Sequence, residues 1–311
     1  MNTEMIKHCD LCGNNDFIPV WDKIWNIKNK KGNFGILIEH DGKYYNYINV
    51  MCNKCGLMFV TPRMTEEATT EYYSSVYRND YGIDLAGEKY HAFKAIEHIG
   101  RNKKIFNFTK DKKYKILEIG CSTGIFLENM KHENIEVFGV EQCKETAKIA
   151  QDKGLNVDNC RIEDYNGKDF DMVAIFNTLE HMHSPTSVLE KIHSILKPDG
   201  LIYVVVPDLY TNMVGLNADA FLSCAHLFNF DIVTLKLFIE KCGFKAESIS
   251  SKIEINMDKL HCIARKCNTK GFEIKHDPTK YIPYIHNRLE AMTNLAFTKN
   301  MFISKGVELY E

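Results

Sequence analysis

The chain has no run of 18 or more apolar residues, which leaves no segment able to span a bilayer as a helix. It has no excess of positive charge. Its 39 Lys and Arg against 41 Asp and Glu give a net charge of −2, which argues against a nucleic-acid substrate. The one lysine cluster, Lys23, Lys28, Lys30 and Lys31, is offset by Asp10, Asp16, Asp22 and Glu39. Residues 1–8 lack the basic and apolar regions of a secretory signal. Eleven cysteines are spread through 311 residues without the density of a disulfide scaffold, so a reducing cytoplasm and metal ligation are expected. Internal repeats and low-complexity linkers are absent. What is left is a globular composition, 45% hydrophobic and 26% charged, with length enough for two domains, one of them a full α/β core.

Two phosphate-binding patterns are missing as well. Residues 116–124 read Ile-Leu-Glu-Ile-Gly-Cys-Ser-Thr-Gly, a buried strand running into a glycine-punctuated turn. A dinucleotide fingerprint would need glycine at 122 and 125, where the chain has Ser122 and Ile125, and there is no P-loop. The turn is therefore not built for a diphosphate. Gly120 and Gly124 permit close approach of backbone to a ligand, and the helix beginning near Thr123 points free N–H groups over the strand end. A second strand, Val-Phe-Gly-Val, ends at Glu141, where an acid can accept hydrogen bonds from a ribose diol. Glu118 lies inside the first strand, and a buried carboxylate is costly without a partner, which a cationic or amine-bearing ligand would supply.

The following blocks keep this order. Phe170–Asn177 reads as a further buried strand, Thr178–Pro185 as a loop, then a helix to Ile195, a Lys-Pro-Asp-Gly stop, and a strand over 201–207. With Ile116–Gly124, Val137–Glu141, Phe170–Pro185, Ile195–Pro207 and His226–Phe244 in sequence, the chain resembles the class I S-adenosylmethionine-dependent methyltransferases over roughly residues 70–267. Ser122 departs from the glycine many members carry there, although a serine hydroxyl can still bind a carboxylate. The resemblance implies an α/β fold with a Rossmann-like seven-stranded sheet. Its strands are expected near 114–119, 135–140, 155–159, 170–176, 200–206, 244–250 and 259–266, the last two as an antiparallel hairpin.

Ahead of this domain stand two near-identical knuckles, Cys9-Asp-Leu-Cys12-Gly13 and Cys52-Asn-Lys-Cys55-Gly56. Four thiolates on two tight turns fit a closed structural zinc site. A redox Cys-x-x-Cys or plain core cysteines are the alternatives. The 39 residues between the pairs exceed the usual ribbon spacing, and His40-Asp-Gly-Lys is a hairpin signal within them. Cys52–Arg63 followed by Tyr72–Tyr77 resembles the zinc-containing N-terminal part of sugar C-methyltransferases and their relatives in polysaccharide and natural-product pathways. Those enzymes carry a large further C-terminal domain, whereas here about 44 residues follow the last predicted strand, which puts oxygen or nitrogen methylation ahead of carbon.

The predicted organisation is a zinc-ribbon module at 1–65, a helical connector or lid at 66–110, the S-adenosylmethionine-binding domain at 111–267, and a helical C-terminal tail at 268–311. The tail has Leu289, Met292 and Leu295 on one face. It would pack on the catalytic domain, cover the substrate or mediate a homodimer. By resemblance, Gly120, Cys121, Ser122 and Gly124 would meet the methionine part of the cofactor, Glu118 its amino group, Glu141 the ribose and Gln142 the adenine edge. Ile162 would pack on the adenine face, Glu163 or its neighbouring backbone would meet the exocyclic amine, Asn177 would reach the cofactor from the fourth strand, and Tyr73 and Tyr77 would lie over it. For catalysis the expectation is methyl transfer to a small polar acceptor, an O-methylation of a sugar or related metabolite, with His181 or His226 as general base. His183 and Asp208 are further candidates in the same loops. Sugar C-methylation, RNA base methylation and a non-catalytic binding module are the alternatives.

Overall fold

The computed structural model describes residues 2–23, 47–76, 82–212, 222, 225–252, 258–269, 271–283 and 285. The hairpin turn at His40, Tyr77 and almost all of the expected tail helix lie outside the described residues.

The N-terminal segment forms short strands β1 (Thr3–Glu4), β2 (Phe17–Lys23), β3 (Tyr47–Cys52), β4 (Met58–Thr61) and β5 (Arg63–Met64). β2, β3 and β4 pair antiparallel, and β1 pairs with β5. Helix Glu66–Glu71, capped by Thr65, runs into a π-helical turn at Tyr72–Val76. The long helix Leu85–Arg101 follows, its start capped by Asp84.

The central sheet is built from β6 (Tyr114–Ile119), β7 (Ile135–Val140), β8 (Asn156–Asp158), β9 (Phe170–Phe176) and β10 (Leu196–Pro207). Downstream come β11 (Phe228–Asn229), β12 (Phe244–Lys252) and β13 (Lys259–Lys266). The seven-stranded order is β12-β13-β10-β9-β6-β7-β8, parallel except where β13 runs against both β10 and β12. This is the Rossmann-like methyltransferase sheet expected from the sequence, with the closing hairpin in place. β10 starts earlier than expected, at Leu196, because an irregular step between Leu196 and Leu201 absorbs the Lys-Pro-Asp-Gly turn inside the strand.

Side-chain alternation divides the sheet into two cores. Leu117, Ile119, Val173, Ile175, Ile202, Val204 and Val206 face one side, while Ile116, Met172, Ala174, Leu201, Tyr203 and Val205 face the other. Burying each of the Val, Leu, Ile and Met side chains among them is worth roughly 1.5–3 kcal/mol. The first face carries helix Pro185–Ile195, helix Ile232–Lys241 and the N-terminal strands; the second carries helix Leu85–Arg101 and helix Ile125–Met130. Helix Pro185–Ile195 buries Val188, Leu189, Ile192 and Ile195, the one-sided spacing that seats a helix on a sheet. Helix Ile232–Lys241 opens on a capping box between Asp231 and Thr234.

One pairing crosses the expected boundary at residue 65. β11, from the segment after β10, adds to the N-terminal sheet beside β4 through Phe228 and Phe59. The N-terminal strands are thereby joined to the loop that carries His226.

Candidate active site

At the carboxyl end of β6 the chain turns through Gly120 (φ 69°), Ser122 (φ 47°) and Gly124 (φ 78°). A Cβ on Gly120 would sit 2.5 Å from Thr178 Oγ1, and one on Gly124 would sit 2.4 Å from Leu155 Cδ1. These two positions therefore need glycine for both conformation and space. The loop is held by Glu141 at the end of β7, whose carboxylate accepts the N–H of Ser122 and of Cys143, both at 2.8 Å.

Glu118 is 6% exposed, and its Oε2 has no partner among the described residues. Burial pushes its carboxyl well above the usual glutamate range, and the nearby Glu88 and Glu141 add to this. Glu88 belongs to the first turn of helix Leu85–Arg101 and accepts the hydroxyls of Ser122 and Thr123. Three carboxylates thus converge on one glycine turn. The Cys121 thiol, packed beneath them, is pushed up chiefly by burial. Asn177, with φ 46°, leaves the end of β9; its N–H donates to Val205 at 2.8 Å while its Oδ1 is buried and unpartnered.

The adenine-side candidates lie beyond β8. Ile162 is 2% exposed within a 3-10 turn at Ile162–Asp164. Asp164 is drawn off by Arg161 at 3.0 Å, and the Glu163 carbonyl accepts Lys191 Nζ at 3.3 Å. Gln142 donates to the Thr70 carbonyl at 2.8 Å and to Ser74 Oγ at 3.1 Å. These contacts tie the Glu66–Val76 segment to the end of β7.

The same segment reaches the other side of the sheet's switch point. Tyr73 Oη is 3.0 Å from His181 Nδ1, and His181 Nδ1 is 2.7 Å from the Ala225 carbonyl. The His181 and His226 rings meet edge to face, centroids 5.0 Å apart. Glu180, buried beside them, has its Oε1 3.8 Å from His181 Nε2 and its Oε2 without a partner among the described residues. Burial raises the Glu180 carboxyl, opposed by His181, Lys259 and His91.

His183 points away from this cluster. Its ring meets Arg63 at 3.1 Å and Glu4 at 3.1 Å, and Arg63 also donates to its carbonyl at 2.7 Å. Burial, with Arg63 next, lowers its pKa. Asp208 is 4% exposed and accepts the Tyr210 N–H and the Ser251 hydroxyl, which stabilise the turn after β10.

The four knuckle cysteines converge. Cys9 and Cys55 Sγ are 3.6 Å apart, Cys12 and Cys52 Sγ 3.5 Å, and all four lie within 4.8 Å of one another. A tetrahedron of about 2.3 Å zinc–sulfur bonds places its sulfurs about 3.8 Å apart. Gly13 (φ 72°) and Gly56 (φ 79°) close the two turns, each N–H donating to the first cysteine carbonyl of its knuckle. Asp10, inside the first knuckle, accepts Ser184 Oγ and the Thr186 N–H, both at 2.9 Å. It thereby caps helix Pro185–Ile195 from outside the helix's own chain segment.

Glu88, Glu180, Asp10 and Arg63 were not evident as site residues from sequence. Only Glu180 carried a signal, its place beside His181 in Leu-Glu-His. The others look like ordinary surface charges until the tertiary contacts are seen.

Comparison with known proteins agrees with this geometry. A family model described as a methyltransferase domain matches residues 90–249, more than half of the 311-residue chain. The ubiquinone biosynthesis O-methyltransferase of Actinobacillus pleuropneumoniae is 29% identical over 102 residues, 29% of this chain and 44% of that protein. That of Vibrio campbellii is 30% identical over 134 residues, 39% of this chain and 54% of that protein. The chain spans about half the length of the curated relatives it matches. Among solved structures, a plantazolicin methyltransferase in complex with SAH superposes with TM-score 0.52 at 14% identity, over 64% of this chain and 94% of the other. Magnesium protoporphyrin IX methyltransferase from Synechocystis with bound SAH gives 0.51 at 11% identity, over 65% of this chain and 100% of the other. At such identities the likeness is one of fold. No helix among the described residues is long and apolar enough to cross a membrane.

Proposed function

Since this chain belongs to the methyltransferase-domain family, we propose that it transfers a methyl group from S-adenosylmethionine to an oxygen of a small polar acceptor, a sugar or related metabolite of glycan or natural-product synthesis. The observation that carries the cofactor half of this reading is the buried, unpartnered Glu118 carboxylate at the exit of β6, crowded by Glu88 and Glu141. Such a cluster is stable in its charged form only opposite a cation, and this cofactor carries both a sulfonium and an ammonium. When bound, it supplies an activated methyl group with a neutral leaving group.

The chain's residues would then bind and orient. Gly120, Cys121, Ser122 and Gly124 form the cradle, Glu141 stands at the end of β7 where a carboxylate can accept from a diol, and Asn177 Oδ1 is an acceptor without a partner among the described residues at the adjacent strand end. Ile162 and Gln142 bound the adenine side, with Glu163 beside them. Tyr73 and Gln142 anchor the Glu66–Val76 segment over both halves, consistent with a lid role for residues 66–110. In-line alignment of this kind contributes up to about 7–11 kcal/mol in well-oriented systems. His181 and His226 lie on the acceptor side, where an imidazole can take up a hydroxyl proton.

Cys9, Cys12, Cys52 and Cys55 would hold a structural zinc with no position left for water, making residues 1–65 a metal-stabilised module. The ten described cysteines are free thiols, as suits a reducing cytoplasm. The relatives' names, as O-methyltransferases, favour oxygen over carbon or nitrogen. They also support a second reading, an acceptor of the kind met in ubiquinone biosynthesis rather than a sugar.

Calorimetric titration with S-adenosylhomocysteine tests the cofactor half. Micromolar binding that Glu118→Gln and Glu141→Ala each weaken by about tenfold or more, ~1.4 kcal/mol per tenfold, is expected. No binding by the folded, zinc-loaded protein would move the chain to a binding module.

A further inference from the structure

Glu180, His181 and His226 bring three ligand atoms within 4.8 Å of one another. The arrangement is more specific than proximity. The Ala225 carbonyl can only accept, so its 2.7 Å contact assigns the hydrogen of a neutral His181 to Nδ1, with the Tyr73 hydroxyl, 3.0 Å from the same nitrogen, as a second acceptor. Its Nε2 then presents a lone pair, and it faces Glu180 Oε1 at 3.8 Å. Glu180 is 2% exposed, and its second oxygen has no partner among the described residues. Two acceptors thus face each other, Glu180 buried and His181 half-buried, with a second ring, His226, edge-on to that of His181 at 5.0 Å. Lys259, 5% exposed, and His91 are the other charged or titratable groups acting on Glu180.

We propose that Glu180, His181 and His226 form a second divalent metal site, for a transition-metal ion such as Zn²⁺ or Mn²⁺, with coordination positions left open toward the acceptor. Two imidazoles and one carboxylate select a borderline transition metal over Mg²⁺ or Ca²⁺, which prefer all-oxygen ligands. Three protein ligands leave open positions, the mark of a reactive rather than a structural site. The Nδ1–H of His181 on a backbone carbonyl is the outer-shell contact that orients metal-binding histidines. Binding would draw the three ligand atoms closer together. It would also pin the segment at Ala225–His226 to the loop after β9.

This deepens the methyl-transfer reading and rests on it only for the ion's role. An acceptor hydroxyl bound at an open position would lose its proton to solvent, the O–H bond breaking as the oxygen–metal bond forms. His181 would then be a ligand and the ion the activating group. A bound divalent ion of this kind lowers the pKa of an oxygen acid at its open position.

The test is an equilibrium titration of zinc-replete wild-type protein with Mn²⁺, followed by the electron paramagnetic resonance signal of the free ion. S-adenosylhomocysteine binding is measured in parallel. The expected result is one Mn²⁺ per chain beyond the cysteine-bound zinc. Glu180→Gln and His226→Ala should each weaken it by about tenfold or more, while the zinc content is unchanged. No Mn²⁺ or additional Zn²⁺ taken up by the wild type, or equal uptake by both variants, would overturn the site and leave His181 as base. The wild-type stoichiometry decides the matter even if a variant fails to fold. Mn²⁺ uptake without S-adenosylhomocysteine binding would keep the metal site and sink the methyl-transfer reading.

Discussion

The cysteine knuckles and the strand ends are both clusters of polar side chains in buried surroundings, yet they are finished to different degrees. In the knuckles each turn closes on its own backbone, Gly13 to Cys9 and Gly56 to Cys52, and Asn14 reaches over to Asn53 at 2.8 Å. The thiols act on one another: hydrogen bonds from its neighbours, that of Cys12 first, lower the Cys52 pKa, while those of Cys9 and Cys55 are raised, in both cases by hydrogen bonding to Cys12 first. At the strand ends, Glu118 Oε2, Asn177 Oδ1 and Glu180 Oε2 are buried without partners among the described residues. Buried polar groups are nearly always paired in folded proteins. The knuckle turns are closed by their own backbone and offer four sulfurs to a single ion, while the strand ends keep buried oxygens without partners among the described residues.

The sharpest way to break this contrast is to open the closed cluster. If the cluster holds zinc as proposed, Cys52→Ser should abolish zinc binding there and lower Tm by more than about 10 °C, since a structural zinc contributes ~10–16 kcal/mol in small modules. His226→Ala, at the strand ends, should leave Tm within about 2 °C. Thermal unfolding by circular dichroism with metal analysis compares them. Equal losses from both variants would remove the distinction.

A change of opposite sign is expected at Glu118. The folded-state pKa is raised above the unfolded value, so its contribution to stability is fully present below the ordinary glutamate range. It is lost as pH rises through the folded-state pKa. Glu118→Gln should therefore raise the Tm of the ligand-free protein at neutral pH and match the wild type in acid. Relieving a buried unpaired group is worth about 1–3 kcal/mol, or some 2–4 °C for each. A lower Tm for the variant at neutral pH would mean that Glu118 is already compensated within the chain.

The smallest effect concerns the bridge between the regions. Asp10→Ala removes the acceptor for Ser184 Oγ and the Thr186 N–H, and should cost about 0.5–2 kcal/mol. Hydrogen exchange should quicken at residues 184–187 while the cysteine site stays loaded. Unchanged exchange there would uncouple the knuckle from the loop after β9.

Much of this was legible in the chain itself. Buried strands such as Tyr114–Ile119 and Phe170–Phe176 matched their expected limits because continuous apolar runs bounded by turns leave little freedom. The pairing of β11 with β4 was not legible, because β11 is two residues long and the pairing depends on a fold-back of some 170 residues. Glu88 was invisible for the same reason. An acid in the first turn of a helix is ordinary by itself, and only the packing of helix Leu85–Arg101 against β6's loop gives it Ser122 and Thr123.

The sequence by itself determined the layered α/β architecture, the glycine turn at Gly120–Gly124, the acid at the end of each of the first two strands, and the paired cysteines, because periodicity, glycine conformation and motif spacing are local properties. Only the tertiary structure decided which polar atoms are left unsatisfied and which distant side chains meet. It put Glu180, His181 and His226 in one cluster, set His181 Nδ1 against the Ala225 carbonyl, and set Asp10 against the loop after β9. Burial and pairing depend on the whole set of neighbours, and no local stretch of chain contains that set.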